Sequence, residues 1–196
     1  MFDVFVACVL LLPALIFGAV IAAAIVLESR GPVFFSQVRV GHRGRRFRLW
    51  KLRSMVPNAG EVLESHLRQH PEHSSEWHST HKLKNDPRVT RVGRLLRRSS
   101  LDELPQLWNV LRGDMSMIGP RPIVEAEIPK YGAAFHLYSQ VRPGLTGLWQ
   151  VSGRNDTSYG ARIALDTAYI KNWSLGMDVV VLLKTVRVVV MGHGAY

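Results

Sequence analysis

Asp102 and Glu103 are adjacent acids just ahead of Pro105, Arg97 lies upstream of them, and the rigid turn Gly119-Pro120-Arg121-Pro122 follows. These are parts suited to phosphoryl chemistry. A carboxylate can serve as a nucleophile or hold a cation, and guanidinium groups grip phosphate oxygens in a bidentate fork. On a helix, neighbouring side chains diverge by roughly 100°, so divided roles are expected of the two acids rather than one shared proton. Proline is best tolerated in the first helical turn, which predicts that Asp102 stands near a helix amino terminus, where unpaired N–H groups favour negative charge. Ser100-Leu101-Asp102-Glu103 also reads as a capping box, in which Ser100 and Glu103 satisfy backbone donors and Asp102 merely complements the dipole. The tetrapeptide alone favours capping; Arg97 and Arg121 shift the reading towards phosphate.

Two other groups of side chains could bind ligands. His66, His70, His73, His78 and His81 fall in a polar stretch, residues 56–84, that reads as a helix followed by a loop. His66 and His70 share helical spacing, but no carboxylate or cysteine completes a recognised zinc pattern, so solvated histidines are expected. Arg88, Arg91, Arg94 and Arg97 recur every third residue beside Val92, Leu95 and Leu96. On a helix this is a slowly rotating basic stripe that could face phosphates, solvent or anionic lipid headgroups.

The remaining sequence must position these residues. The chain has 196 residues, is 47% hydrophobic and carries a formal net charge of +10. One catalytic unit with a real core and an anionic partner is expected. The single cysteine, Cys8, lies in an apolar run, which excludes a disulfide framework or a cysteine metal cluster and suits a reducing compartment.

Residues 4–27 carry no charge, and as a helix they would cover about 36 Å at ~1.5 Å per residue, enough to cross a bilayer. Asp3 stands where a signal peptide would be basic, so a retained segment is expected. Arg30, Arg39, Arg43, Arg45, Arg46, Arg48 and Lys51 crowd its carboxyl side and predict a cytoplasmic catalytic part. Pro13 predicts a bend. A kinked transmembrane anchor and a helix that enters and leaves one leaflet are both compatible with that bend. After Gly31-Pro32, residues 33–40 and 47–52 predict a β-hairpin across the 41–46 turn. Residues 177–191 are rich in Val and Leu with Lys184 and Arg187 between them, as in a helix lying on a membrane or buried in a core.

Residues 100–116, SLDELPQLWNVLRGDMS, followed by Gly119-Pro120-Arg121-Pro122, closely resemble the bacterial sugar transferase family, the monotopic phosphoglycosyl transferases. Further matches are Gly31-Pro32-Val33-Phe34-Phe35, Lys51-Leu52-Arg53-Ser54-Met55, Asp86-Pro87-Arg88-Val89-Thr90 and residues 141–155, VRPGLTGLWQVSGRN. Several long motifs in one order over nearly the whole chain make the likeness specific.

The resemblance implies an α+β fold with a re-entrant membrane helix over residues 1–30. Residues 31–196 would form a catalytic domain with a small β-hairpin and amphipathic interfacial helices. It implies a two-step reaction in which Asp102 attacks the β-phosphate of a UDP-sugar, releases UMP and passes the sugar phosphate to a polyprenyl phosphate such as undecaprenyl phosphate. Glu103 would help hold magnesium, Arg97 and Arg121 would bind phosphate, and Arg154 and Asp166 would be further substrate-site residues. The closing Gly192-His193-Gly194-Ala195-Tyr196 resembles exopolysaccharide-initiating members, which points to UDP-glucose or UDP-galactose. A place at the cytoplasmic face of the bacterial inner membrane, against its phospholipid, is implied, with no nucleic acid partner and with room for a homodimer. Family members often place a small polar residue ahead of the bend proline; this chain has Leu12. Two rivals remain open on the residues alone: a membrane-tethered basic binding module, and a UDP-sugar pyrophosphatase that passes the phosphosugar to water.

Overall fold

A computed structural model describes residues 2–80, 83, 85–153 and 157–191. The chain begins with helix α1 (Phe2–Glu28), which contains Pro13. Proline lacks the N–H that would close the helical ladder, and the halves on either side, Asp3–Leu11 and Pro13–Glu28, meet at 50°. Among the described residues no single helix is long and apolar enough to cross a membrane; this bent pair meets the length and composition together. Phe5, Leu15, Ile16, Phe17, Val20 and Leu27 are exposed along it, while Ala7 and Ile25 are buried against the rest of the chain.

Both ends of α1 are fastened to the same body. Asp3 accepts hydrogen bonds from the Ser116 hydroxyl at 2.9 Å and the Met117 N–H at 3.1 Å. Glu28 accepts from the N–H groups of Arg91 and Val92 at 2.7 and 2.8 Å. Those two donors belong to the first turn of a later helix and have no intrahelical partner. The Arg53 guanidinium donates to the Ser29 and Arg30 carbonyls beyond the end of α1.

The expected hairpin forms from β1 (Phe34–Val40) and β2 (Arg46–Leu52), antiparallel with Phe34 opposite Leu52 and Val40 opposite Arg46. The polar stretch that reads as helix and loop instead holds two helices, α2 (Ala59–Gln69) and α3 (His73–Thr80). His73 stacks on His66 and His70, and His66 Nε2 faces His73 Nδ1 at 2.9 Å, a packing between separate segments that periodicity cannot register. His81 lies outside the described residues. Among the described residues no group of three or more metal-ligand side chains could hold an ion.

Helix α4 (Arg91–Ser99) carries Arg91, Arg94 and Arg97, with Arg88 ahead of it, and Thr90 caps it by accepting from the Gly93 N–H at 2.9 Å. Gly93 is required where it stands, because a β-carbon there would collide with the backbone carbonyl of Ser54. Helix α5 (Gln106–Leu111) then leads to β3 (Ser116–Ile118). After two short helices, α6 (Ile128–Tyr131) and α7 (Ala134–Tyr138), β4 (Gly144–Thr146) pairs parallel with β3. The two backbones approach so closely at Gly119 and Gly144 that neither position has room for a side chain.

Helices α8 (Tyr159–Lys171) and α9 (Leu175–Met191) complete this α+β chain. Val181 of α9 joins Ala7, Leu107, Val110, Met115 and Met117 in the main core. Leu175, Val179, Val180, Leu183 and Val186 of α9 remain exposed, so α9 is a surface helix with an apolar outer face and not the buried core helix that its composition also allowed.

Candidate active site

Asp102 is placed by the way α4 ends. Ser100 adopts a left-handed conformation, φ 55° and ψ 18°, and its N–H closes the last turn of α4 on the Arg97 carbonyl. Residues Leu101–Glu103 form one 3-10 turn before Pro105 leads into α5. The capping-box reading therefore fails: the Ser100 side chain makes no cap, and only its backbone serves both elements, its N–H closing α4 and its carbonyl accepting the Glu103 N–H of the 3-10 turn at 3.2 Å. Asp102 is set in this tight turn and not in the first turn of α5.

The opposing wall is β2. Asn109 of α5, only 1% exposed, donates to the Arg48 carbonyl at 2.8 Å and accepts from the Trp50 N–H at 3.2 Å. These bonds occupy the free edge of β2 and fix its register against α5. Lys51 is thereby held over the acid pair. Its Nζ donates to Glu103 Oε1 at 2.6 Å and lies 3.6 Å from Asp102 Oδ2. Adjacent in the chain, both carboxylates reach one ammonium.

Asp102 lies deeper than Glu103, with 10% of its side chain exposed against 32%. Burial raises the Asp102 carboxyl above its ordinary range; Lys51 and Arg97 pull it down, and Glu103 pushes it up. Arg97, on α4, donates through Nε to the Ser54 hydroxyl at 3.0 Å and stands in the field of Asp102. Arg121 follows β3 and stands in the field of Glu103, with its guanidinium 5.4 Å from the Trp149 ring centroid. Burial and Arg162 push Arg121 below its ordinary value.

A cleft runs between these elements, lined by Arg39, Lys51, Glu103, Arg121, Pro122 and Gln150 among others. Arg39 donates to the Pro122 carbonyl at 3.1 Å and lies 3.8 Å from Glu127; burial and Arg121 lower it to about 10. Such a crowd of cations in partly desolvated surroundings favours a polyanion, and a diphosphate fits it by charge.

Of the residues expected from sequence, Asp102, Glu103, Arg97 and Arg121 converge through Lys51 and their mutual fields. Glu103 and Arg121 line the cleft, whereas Asp102 and Arg97 are not among its lining residues and are linked to them through Lys51 and the fields above; Asp166 is not a lining residue either. It is 1% exposed on α8, accepts the Tyr131 hydroxyl at 2.7 Å, lies 3.8 Å from Arg162 Nε, and is pushed up to about 6 by burial. Arg154 lies outside the described residues. Sequence reasoning missed the roles of Lys51, Arg39 and Arg162. Lys51 could have been found, since it opens the Lys51-Leu52-Arg53-Ser54-Met55 motif. Arg39 and Arg162 carry no local signal, because only folding brings them to Glu127.

A model of the bacterial sugar transferase family matches residues 1–192. The chain is 52% identical over 187 residues to the UDP-galactose-lipid carrier transferase of Erwinia amylovora, covering 95% of this chain and 38% of that protein. It is 49% identical over 195 residues to the exopolysaccharide production protein ExoY of Rhizobium meliloti, covering 100% of this chain and 86% of the relative. It is 44% identical over 187 residues to the UDP-glucose:undecaprenyl-phosphate glucose-1-phosphate transferase of Caulobacter vibrioides, covering 89% of this chain and 63% of that protein.

Proposed function

The chain belongs to the bacterial sugar transferase family, and we infer that it transfers a hexose 1-phosphate from a UDP-sugar to undecaprenyl phosphate and releases UMP. Galactose and glucose are the sugars carried in the names of its relatives. The product would be the first lipid-linked sugar of an exopolysaccharide or related glycoconjugate. One observation carries this reading: a partly buried carboxylate, Asp102, sits beside Lys51 and within the fields of Arg97 and Glu103.

In this reading an Asp102 oxygen attacks the β-phosphorus of the donor. The bond from that phosphorus to the bridging oxygen breaks, and the electron pair leaves on UMP. Lys51, Arg97, Arg121 and Arg39 offset the charge of the transferred and departing phosphates. The aspartyl phosphate is a mixed anhydride, so it retains much of the transfer potential of the diphosphate. A phosphate oxygen of undecaprenyl phosphate then attacks the same phosphorus, and Asp102 departs as a carboxylate. Lys51 helps keep Asp102 ionised against the penalty of its burial.

Magnesium is part of the proposal. Glu103, beside Asp102, supplies hard oxygen donors, and magnesium is commonly held by one or two carboxylates plus phosphates and water. The donor set fits such an ion, which would supply charge neutralisation at the diphosphate oxygens.

The fastening of α1 favours a re-entrant helix. Its beginning is tied to Ser116 and Met117 and its end to Arg91 and Val92, all on one body. A spanning helix would hold those ends on opposite sides of the bilayer. The exposed apolar residues of α1 and α9 would supply a face for the inner leaflet, and the basic residues after α1 support a body on the cytoplasmic side of the inner membrane.

The test uses protein in nanodiscs with magnesium, undecaprenyl phosphate and a panel of UDP-sugars, reading UMP and lipid-linked product. The native chain is expected to turn over to both products only when magnesium and the lipid acceptor are present, releasing no more than one UMP per chain without acceptor, and Asp102→Asn is expected to form neither. UMP without acceptor, at the full rate, would indicate the pyrophosphatase. Full product from Asp102→Asn would remove the nucleophile.

A further inference from the structure

A second cavity shares no lining residue with the active cleft. It lies where the beginnings of α1 and α9 and the end of α8 meet, and Asp3, Ser116, Arg142, Tyr169, Trp173 and Asp178 are among its walls. We propose that this cavity seats the headgroup of an ethanolamine phospholipid, with phosphate on Arg142 and ammonium between Asp3 and Asp178. The proposal rests on the membrane association argued above and extends it to one lipid class.

Among the described residues, Arg142 makes no ion pair or hydrogen bond through its side chain, and Asp3 and Asp178 have no basic partner. Asp178 is nevertheless buried, at 8% exposure, and buried charges are ordinarily paired. Each acid is held in place by neutral donors only. Asp3 takes Ser116 and Met117; Asp178 takes the Tyr169 hydroxyl at 2.7 Å and the Trp173 indole N–H at 3.1 Å. An ionised carboxylate offers about four acceptor sites, so each oxygen can still accept from an ammonium. One unpaired cation and two unpaired anions around one cavity match a zwitterion that can donate hydrogen bonds.

The setting fits lipid. Trp173, 61% exposed, and Leu175, 58% exposed, stand at the rim, and the exposed apolar faces of α1 and α9 run on from it. Tryptophan favours the headgroup level of a bilayer, and the hydrocarbon chains would continue along those faces. A choline headgroup has the same phosphate and no N–H donors; a glycerol headgroup has the phosphate and no cation.

The experiment is native mass spectrometry of the full chain released from nanodiscs containing equal parts of phosphatidylethanolamine, phosphatidylcholine and phosphatidylglycerol, with vesicle co-sedimentation in parallel. Retention of the ethanolamine lipid should exceed each of the others by about tenfold, the worth of one charge-assisted hydrogen bond. Arg142→Gln should lose that retention, Arg142→Lys should recover part of it, and Asp102→Asn should keep it. Equal retention of all three lipids, or preference for phosphatidylglycerol, overturns the proposal, as does unchanged retention in Arg142→Gln. Failure to sediment with vesicles of any composition would instead strike the membrane reading itself.

Discussion

Lys51 Nζ stands 3.6 Å from Asp102 Oδ2 while donating to the neighbouring Glu103 at 2.6 Å. A carboxylate that must be ionised to act is thus buried and then partly recharged by an ammonium from another element. Burial outweighs that help, since the Asp102 carboxyl remains above its ordinary range.

Replacing Lys51 by methionine removes the nearby positive charge that does most to lower Asp102. Protonation of Asp102 should then persist to higher pH, so the acid limb of the rate profile should move upward. At neutral pH the rate should fall by roughly 10²-fold or more, the scale of losing one preorganised charge. Glu103→Gln should move the same limb downward, since Glu103 raises Asp102. A limb that stays in place in both variants would contradict the coupling.

Asn109→Ala should destabilise the fold by roughly 2–4 kcal/mol, because it orphans the Trp50 N–H and the Arg48 carbonyl at a buried edge. Denaturant melts measure the loss. Transfer at low temperature, where the variant stays folded, should also drop, since β2 carries Lys51. A stable variant with full activity would show that Asn109 does not set the register.

Asp166 gives a stability dependence whose sign is fixed. Its carboxyl titrates at about 6 in the folded chain against 3.8 ordinarily, so the folded state binds this proton more tightly. Its favourable contribution is full below about pH 4 and is lost as pH rises through about 6. Relative to Asp166→Asn, the native chain should lose stability across that window and stay level above it. Unfolding midpoints at a series of pH values test this, and a parallel pair of curves would refute it.

The two ends of α1 should be labelled from one side. In a Cys8→Ser background, Phe2→Cys and Arg30→Cys in sealed inside-out vesicles should both react with a membrane-impermeant maleimide. Reaction at position 30 alone would mean that α1 crosses the bilayer. Pro13→Ala restores the missing N–H, so the halves should straighten and labelling at position 2 should fall.

The apolar helix, its proline bend, the β-hairpin and the acids with their arginines were legible from residue order, because each is written in local periodicity or in a contiguous motif. The helical stretch around His73 was not, since a short polar helix packed through imidazole rings has no period to follow. Nor was the conformation of Ser100: a serine suited to capping a helix with its side chain instead takes a left-handed backbone that ends α4 and opens a 3-10 turn. Sequence alone named Asp102 and Glu103. Only the tertiary structure put Lys51 over them, Asp166 beneath Tyr131, and both ends of α1 on one body, because those distances depend on contacts between segments 35 to 114 residues apart. Charge pairing at that range is decided by packing, which no window of neighbouring residues contains.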